Sequence, residues 1–363
     1  HLSAAYRSTI VFATATQPAF DTLNEAVKKH AVQGWHPIEA IPEHPALFAA
    51  LKRVEVSWPK GGEKRTWTQL ADELEKVDQA LVVVNLKRHA IALLHELTEA
   101  KSVFHLSTNL CAEHRRAVMD KVRDQLAAGR PCRLISTQCV EAGVDVDFPI
   151  VFRAVAPLDS IAQAAGRCNR EGRLNEQGRL GKVVVFDPDE QDGWRKRFPT
   201  HSYYQATQVT QTMLNLHDSN LDINDPEVFQ AYYRRLYDLN DPASQNVDLT
   251  RAIQELDFVE IAKAYRLIVQ DAIQVLVPWV GRYDEFLELR TEADQRGISA
   301  NWMRRAQGLA VSVYRTNDGP PAWAIPANLR RGGVSDEWFI LEGEFYDDTL
   351  GLNPPKSEQV FIA

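Results

Sequence analysis

Short apolar runs rich in β-branched residues recur through the first half of the chain, and amphipathic segments separate them. The runs are nearly continuous in hydrophobic residues, which is typical of strands buried on both faces of a sheet. We predict strands at Ile10–Ala13, Val54–Ser57, Leu81–Asn85, Val103–Leu106, Arg133–Ser136, Ile150–Ala154 and Lys182–Phe186. Between them we predict helices at Thr66–Lys76, Arg88–Ala100, Ala112–Ala127 and Ser160–Arg167. The alternation of strand and helix favours an α/β fold with a parallel sheet.

The pattern changes after Asp187-Pro188, where the chain becomes more polar and aromatic. Helical spacing predicts helices near Ser202–Asn215 and Pro226–Leu239, and a further helix at Leu256–Val269. Short apolar runs with Pro-, Gly- and Trp-rich turns then predict a small mixed α+β domain. Its strands are expected at Val275–Val280, Ala310–Tyr314 and Glu337–Leu341.

The amino-acid composition limits which kinds of binding partner and which cellular compartment we expect for this protein. The 363 residues carry a formal net charge of −8, so nucleic acid would have to be bound through a local basic patch. The four cysteines form no C-x-x-C pair, which favours buried thiols in a reducing compartment. There is no signal peptide, and no apolar run approaches the roughly 20 residues of a membrane helix. We therefore expect a cytoplasmic protein with no membrane partner.

The most informative segment is Gln163–Gly172, with the sequence QAAGRCNREG. On a helix, Gln163, Arg167 and Arg170 would share one face, because they are spaced at i, i+4 and i+7. Two neighbouring guanidinium groups favour an anion between them, and arginine suits the charge that develops during phosphoryl transfer. The alternative is a surface helix whose arginines pair with acids such as Glu171.

Three further segments carry polar residues where predicted strands end. Hydroxyl groups follow the first strand at Thr14 and Thr16, although a Thr-rich loop with a helix cap at Thr16 is the better explanation when this segment is taken alone. Ser107 ends another strand, and Arg115 opens the following helix, as phosphate ligands often do; a solvated, charged helix start explains this segment equally well. The third segment, Ser136–Asp147, combines the hydroxyls of Ser136 and Thr137 with Gly143 and Asp145; it could also be a plain turn between strands.

The order of these segments resembles motifs III, V and VI of superfamily-two helicases. In detail the amino-acid sequence of these segments resembles the CRISPR-associated type I nuclease-helicase family, whose members unwind and degrade DNA after recruitment by Cascade. The resemblance rests on Thr14–Pro18, Phe104–Ser107, Ser136–Pro149 and Ala156–Gly172, and it extends to Phe258–Ile268, Gln307–Val313 and Tyr346–Leu352. It covers nearly the whole chain and implies a RecA-like fold.

The resemblance also implies a role for each matching residue. Arg167 and Arg170 would contact the γ-phosphate of ATP held by another domain, and Gln163 would orient them or the attacking water. Gly143 and Asp145 would touch the nucleotide, while Thr14 and Thr16 would couple hydrolysis to domain closure. Phosphates of single-stranded DNA would be gripped by Ser107, Arg115, Ser136 and Thr137.

Parts of the family pattern do not occur in this sequence. It contains no G-x-x-x-x-G-K-[ST] loop to cradle phosphates, no Asp-Glu-x-His box for Mg²⁺ and no His-Asp nuclease cluster. We therefore expect a fragment that completes an ATP- and Mg²⁺-dependent site only with the missing nuclease and first RecA-like domains, binds no metal of its own and is inactive alone. Its expected parts are the end of the first RecA-like domain (1–35), the second RecA-like domain (36–188), a helical linker (189–250) and a C-terminal domain (251–363).

Two other functions stay open at this stage. The chain could be a catalytically inert module that binds DNA or Cascade. It could also be the matching half of an RNA helicase, although the segment STQCVEAGVD argues against this by resemblance.

Overall fold

The computed structural model describes residues 6–14, 16, 19, 38, 40–41, 44–97, 102–141, 143–190, 193–218, 220–239, 247–264, 272–315 and 319–354. The strands in these ranges are β1 Val54–Ser57, β2 Gln79–Val83, β3 Val103–Leu106, β4 Cys132–Ser136, β5 Ile150–Ala154, β6 Gly181–Phe186, β7 Ala272–Leu276, β8 Ala310–Tyr314, β9 Ala324–Asn328, β10 Val334–Leu341, β11 Tyr346–Asp347 and β12 Gly351–Leu352. The helices are α1 His44–Ala50, α2 Trp67–Glu75, α3 Lys87–Glu96, α4 Ala112–Ala127, α5 Leu158–Ala165, α6 Arg173–Glu176, α7 His201–Leu216, α8 Pro226–Leu239, α9 Val247–Glu255, α10 Phe258–Ala264, α11 Tyr283–Arg296 and α12 Ala300–Ala306.

Strands β1 to β6 form one parallel sheet in the order β1-β6-β5-β2-β4-β3. The chain runs from β2 out to the edge strand β3, returns to β4, and then crosses to the other side of β2 to form β5 and β6. Apolar cores lie on both faces, which is why the strand sequences are continuously hydrophobic. This sheet confirms the predicted α/β, RecA-like fold, and its carboxyl edge is where a ligand is expected.

A second, four-stranded sheet in the order β8-β7-β10-β9 follows in the chain. Helices α11 and α12 pack with it around Trp302, which is fully buried and donates its indole N–H to the Leu289 carbonyl at 2.7 Å. The predicted small mixed domain is therefore present. Of the helices in the described ranges, none combines the length and apolar character that a bilayer crossing needs.

A hairpin of β11 and β12 joins the two sheets by docking on the β3–α4 loop. The Tyr346 hydroxyl accepts the Cys111 backbone N–H at 3.0 Å and lies 2.9 Å from Nδ1 of His114. The Leu352 N–H donates to the Asn109 carbonyl at 2.9 Å. Gly351 has a φ of 71°, and a Cβ there would lie 2.4 Å from the Asn109 oxygen, so only glycine fits this docking.

His105 makes this docking sensitive to acid. Its Nδ1 lies 3.0 Å from the Thr349 carbonyl, and burial lowers the pKa of His105 to about 4. The unfolded chain, with an ordinary histidine pKa near 6.5, binds more protons between these values, so stability falls as the pH drops from about 6.5 to about 4.

We expect His105 to contribute a loss of about 2 kcal/mol in the free energy of unfolding between pH 7 and pH 5. Urea titrations at several pH values measure it. His105→Gln keeps a donor for Thr349 and should make the profile shallower by that amount, because His89, whose pKa is also lowered by burial, still contributes; His201→Gln at an exposed position should leave the profile unchanged. Equal profiles for wild type and His105→Gln would contradict this assignment.

Three predicted elements differ from the structure. The strand predicted at Val275–Val280 is β7 at Ala272–Leu276, and Val280 instead begins a short 3-10 helix. Residues Ile10–Ala13 form no strand, and the side chains of Ile10, Val11 and Phe12 are exposed. The backbone is irregular here because no strand of the described sheets pairs with this segment. The helix predicted at Leu256–Val269 is instead broken at Leu256, whose φ of 56° ends α9 before α10 begins. The part of this prediction beyond Ala264 lies outside the described residues, as do most of residues 1–35.

Candidate nucleotide and nucleic-acid interface

The predicted arginine helix ends earlier than the spacing suggests. Helix α5 stops at Ala165, so Gln163 lies on it but Arg167 and Arg170 lie on the turn that follows. Asn169 has a φ of 45°, and its backbone N–H donates to the Phe148 carbonyl at 2.9 Å, which fixes the turn against the end of the segment before β5. The expectation of one continuous helical face is therefore wrong; a turn places the two arginines instead.

Arg167 is buried and ties this turn to the one after β4. Its Nε donates to the Val140 carbonyl at 2.9 Å, and an NH2 donates to the Glu141 carbonyl at 2.6 Å. Burial, and then the positive charge of Arg170, lower the pKa of Arg167. The Arg167 side chain therefore satisfies the two carbonyls at the end of the turn after β4. The guanidinium group of Arg170 lies close by.

Arg170 is the more accessible of the two arginines. Its Nε lies 2.9 Å from Oδ1 of Asp145, and 42% of its side chain is exposed. The Arg170 backbone N–H donates to Oδ1 of Asp147 at 2.7 Å, which fixes the backbone of this residue. The structure thus brings together Asp145, Arg167 and Arg170, three of the residues predicted for the nucleotide site.

The loop between Val140 and Asp147 is shaped by Gly143. This glycine is exposed, has a φ of 71° and has open space where a Cβ would stand, so the backbone conformation rather than crowding demands glycine. Gln163 is partly exposed on α5. Within the ranges described, no three His, Cys, Asp or Glu residues are grouped as metal ligands.

A buried ion pair beneath the loop was not predicted. Arg153, which is fully buried in β5, lies 3.0 Å from Oε1 of Glu141 and donates to Asn85 Oδ1 at 2.8 Å and to the Tyr203 hydroxyl at 2.6 Å. Burial raises the pKa of Glu141, and the Arg153 charge opposes that rise. The sequence signal was an arginine inside the apolar run IVFRA, a place where a charge needs a partner.

The residues predicted to contact DNA lie at the carboxyl ends of β3 and β4. The Ser136 hydroxyl donates to backbone carbonyls at 3.0 and 2.8 Å, and the Ser107 hydroxyl accepts the Asn109 N–H at 3.2 Å. Thr137 is nearly buried, and Arg115 bonds to the Leu110 carbonyl. A phosphate contact by the Ser136 hydroxyl would require its donated bonds to exchange, because a hydroxyl group has one proton.

Thr14 and Thr16 lie apart from the arginines. Thr14 Oγ1 donates to the Thr16 carbonyl at 2.9 Å, and the Thr16 hydroxyl is 2.8 Å from that of Tyr233 on α8. The neighbouring Tyr232 hydroxyl lies 3.4 Å from Asp159 on α5. These contacts connect the two threonines to the helix that carries Gln163, through α8.

Comparison with known proteins shows which sequence family and which solved structures this chain resembles. Residues 76–173 match the sequence family described as CRISPR-associated nuclease/helicase Cas3, C-terminal. The CRISPR-associated nuclease/helicase Cas3 of Haloferax volcanii is 32% identical over 220 residues, which are 54% of this chain and 23% of that protein. A crystal structure of T. fusca Cas3 with AMPPNP aligns at a TM-score of 0.50 and 18% identity, over 88% of this chain and 42% of that one.

A chain in a structure titled "CRISPR RNA-guided surveillance complex, pre-nicking" aligns at a TM-score of 0.51 and 20% identity, over 84% of this chain and 42% of that one. At these identities the structural likeness shows the fold. The chain spans less than half the length of these relatives. The resemblance to the CRISPR-associated nuclease-helicase is confirmed, and residues 76–173 are similar to the C-terminal part of that family.

Proposed function

We propose that this chain, as the C-terminal helicase region of a Cas3-family protein in type I CRISPR interference, supplies arginines and DNA contacts to a composite ATPase site. The observation that carries the proposal is the pairing of Arg170 with Asp145 above the buried Arg167. Two neighbouring guanidinium groups, one of them exposed, suit the terminal phosphate of a nucleotide presented by a facing domain.

The roles of the two arginines differ. Arg170 is exposed, so it can leave Asp145 and contact the γ-phosphate, where a guanidinium stabilises the charge of the transition state. Arg167 holds the Val140–Glu141 carbonyls and adds its positive charge to the same place. Gln163, two residues before the end of α5, orients the arginines or the attacking water.

ATP with Mg²⁺ would supply the phosphoryl group, and its phosphates would be cradled by a domain that carries the G-x-x-x-x-G-K-[ST] loop absent from this sequence. On this side, Gly143 and Asp145 would touch the nucleotide. Thr16, through Tyr233 and α8, would couple hydrolysis to the closure of the two domains, with Thr14 holding its backbone.

The carboxyl ends of β3 and β4 would hold single-stranded DNA, with Ser107, Arg115, Ser136 and Thr137 at the backbone phosphates. Cascade is proposed as the assembly that delivers this DNA. The likeness to a chain in an RNA-guided surveillance complex supports that proposal.

Reconstitution tests the composite site directly. We expect this chain alone to hydrolyse no ATP, and we expect DNA-dependent hydrolysis to appear when it is mixed with a separately expressed polypeptide containing the nuclease and first RecA-like domains. The matched control is the same mixture with Arg170→Ala. Robust turnover by the purified chain alone would contradict the proposal, and binding of DNA without any restored turnover would favour an inert DNA-binding module.

A further inference from the structure

Lys87 is a cation without a matching carboxylate. It begins α3 directly after β2, and its Nζ lies 5.8 Å from the centre of the Tyr314 ring, which belongs to β8 of the second sheet. In the part of the chain that the structure describes, no acid lies within ion-pair distance of Lys87. Burial lowers the pKa of Lys87 to about 8, so the amine stays mainly charged at neutral pH.

This lysine stands beside the predicted DNA-contact turn. The Val84 N–H donates to the Ser136 carbonyl at 2.9 Å, and Gln138 Nε2 donates to the Asn85 carbonyl at 2.9 Å. The end of β2 is therefore bonded to the end of β4 on both sides of Thr137. Lys87 follows two residues later, so it occupies the same carboxyl edge of the six-stranded sheet.

The adjacent cation is treated differently by the fold, because Arg88 bonds to the Arg195 carbonyl at 3.2 Å. Lys87 instead has the Tyr314 ring and the Cys139 thiol near its ammonium group, and no carboxylate among the described residues. A half-buried charge left in this way costs free energy unless an anion completes its surroundings.

We propose that Lys87 and Tyr314 together bind one nucleotide of single-stranded nucleic acid, with a backbone phosphate on the ammonium group and a base stacked on the ring. The inference rests on the proposed function, since it adds a contact to the same DNA path. The DNA path would then be lined by residues from both sheets, Lys87 beside the six-stranded sheet and Tyr314 in the four-stranded sheet. A phosphate alone would use the lysine but not the ring, whereas a base gains from a flat aromatic partner.

Salt dependence of binding separates the two roles. The affinity of the purified chain for a fluorescein-labelled oligo-dT is measured by anisotropy between 50 and 200 mM salt, where each phosphate contact with a single strand contributes about 0.7 to the slope of log affinity against log salt. Lys87→Met is expected to lower the magnitude of that slope by about 0.7. Tyr314→Ala should weaken binding by about 5- to 150-fold with an unchanged slope, and Tyr314→Phe should bind like wild type.

The matched control is Lys121→Met, an exposed lysine on α4, which should leave the slope and affinity unchanged. Circular dichroism checks that each variant folds. Inorganic phosphate at millimolar concentration should not compete; efficient competition would mean a simple phosphate site and would overturn the base-stacking role. A wild-type slope in Lys87→Met overturns the inference while leaving the ATPase proposal standing. Failure of the wild-type chain to bind oligo-dT overturns both this inference and the proposed DNA path, whereas the reconstituted ATPase tests the arginines separately.

Discussion

Replacing Arg170 with alanine is expected to lower the DNA-stimulated ATP turnover of the reconstituted enzyme by about 10³–10⁵-fold. The physical reason is that Arg170 is exposed and, among the described residues, its guanidinium pairs with Asp145 alone, so its loss removes charge from the site and little else. Steady-state ATPase assays with saturating DNA measure the effect. The thermal midpoint of the chain should stay within a few degrees of wild type, because surface ion pairs contribute little to stability.

Arg167→Ala is expected to abolish turnover too, but with a different signature. Arg167 bonds to two carbonyls that would lose their donors, so the variant should also unfold more easily, by about 1–3 kcal/mol. Arg173→Ala is the matched control, since Arg173 is exposed and paired with Glu171 on the same segment. Near-wild-type turnover in both Arg167→Ala and Arg170→Ala would refute their assignment to the γ-phosphate.

Replacing Arg153 with methionine is expected to lower the free energy of unfolding by about 3–5 kcal/mol. The change leaves the buried Glu141 without its counter-charge and removes donors from Asn85 and the Tyr203 hydroxyl. Urea titration of the purified chain, followed by circular dichroism, measures the loss.

The double variant Arg153→Met with Glu141→Leu should recover most of that stability, because a buried ion pair replaced by apolar groups often costs little. Arg123→Met removes an exposed pair with Asp120 and should change stability by less than about 0.5 kcal/mol. If Arg153→Met were as mild as Arg123→Met, the buried network would not be what holds the loop before β5.

The strand and helix pattern predicted the six-stranded sheet well, because β-branched runs buried on two faces leave a strong signal. Val103–Leu106 and Ile150–Ala154 have the predicted bounds, and so does the helix Ala112–Ala127. Ile10–Ala13 has the same apolar character, yet it forms no strand. A strand depends on a neighbour to pair with, and the apolar pattern does not report whether one is present.

The candidate site was harder to predict in its geometry than in its residues. Spacing alone put Arg167 and Arg170 on a helix, but the helix ends at Ala165 because Asn169 takes a left-handed conformation to bond with Phe148. The Arg153 network and the Lys87–Tyr314 contact bring together residues far apart in sequence. Pairings of that kind depend on the tertiary fold, which local patterning does not encode.

The β11–β12 hairpin bears on how a motor built from this region would move. Tyr346 bonds to Cys111 in the β3–α4 loop, Thr349 bonds to His105 in β3, and Gly351 packs directly against Asn109. A rotation of the six-stranded sheet during an ATP cycle would therefore move the four-stranded sheet in the same direction. Tyr314 would then move together with Lys87 in each cycle, so a nucleotide bound by both residues would keep its two contacts during the movement.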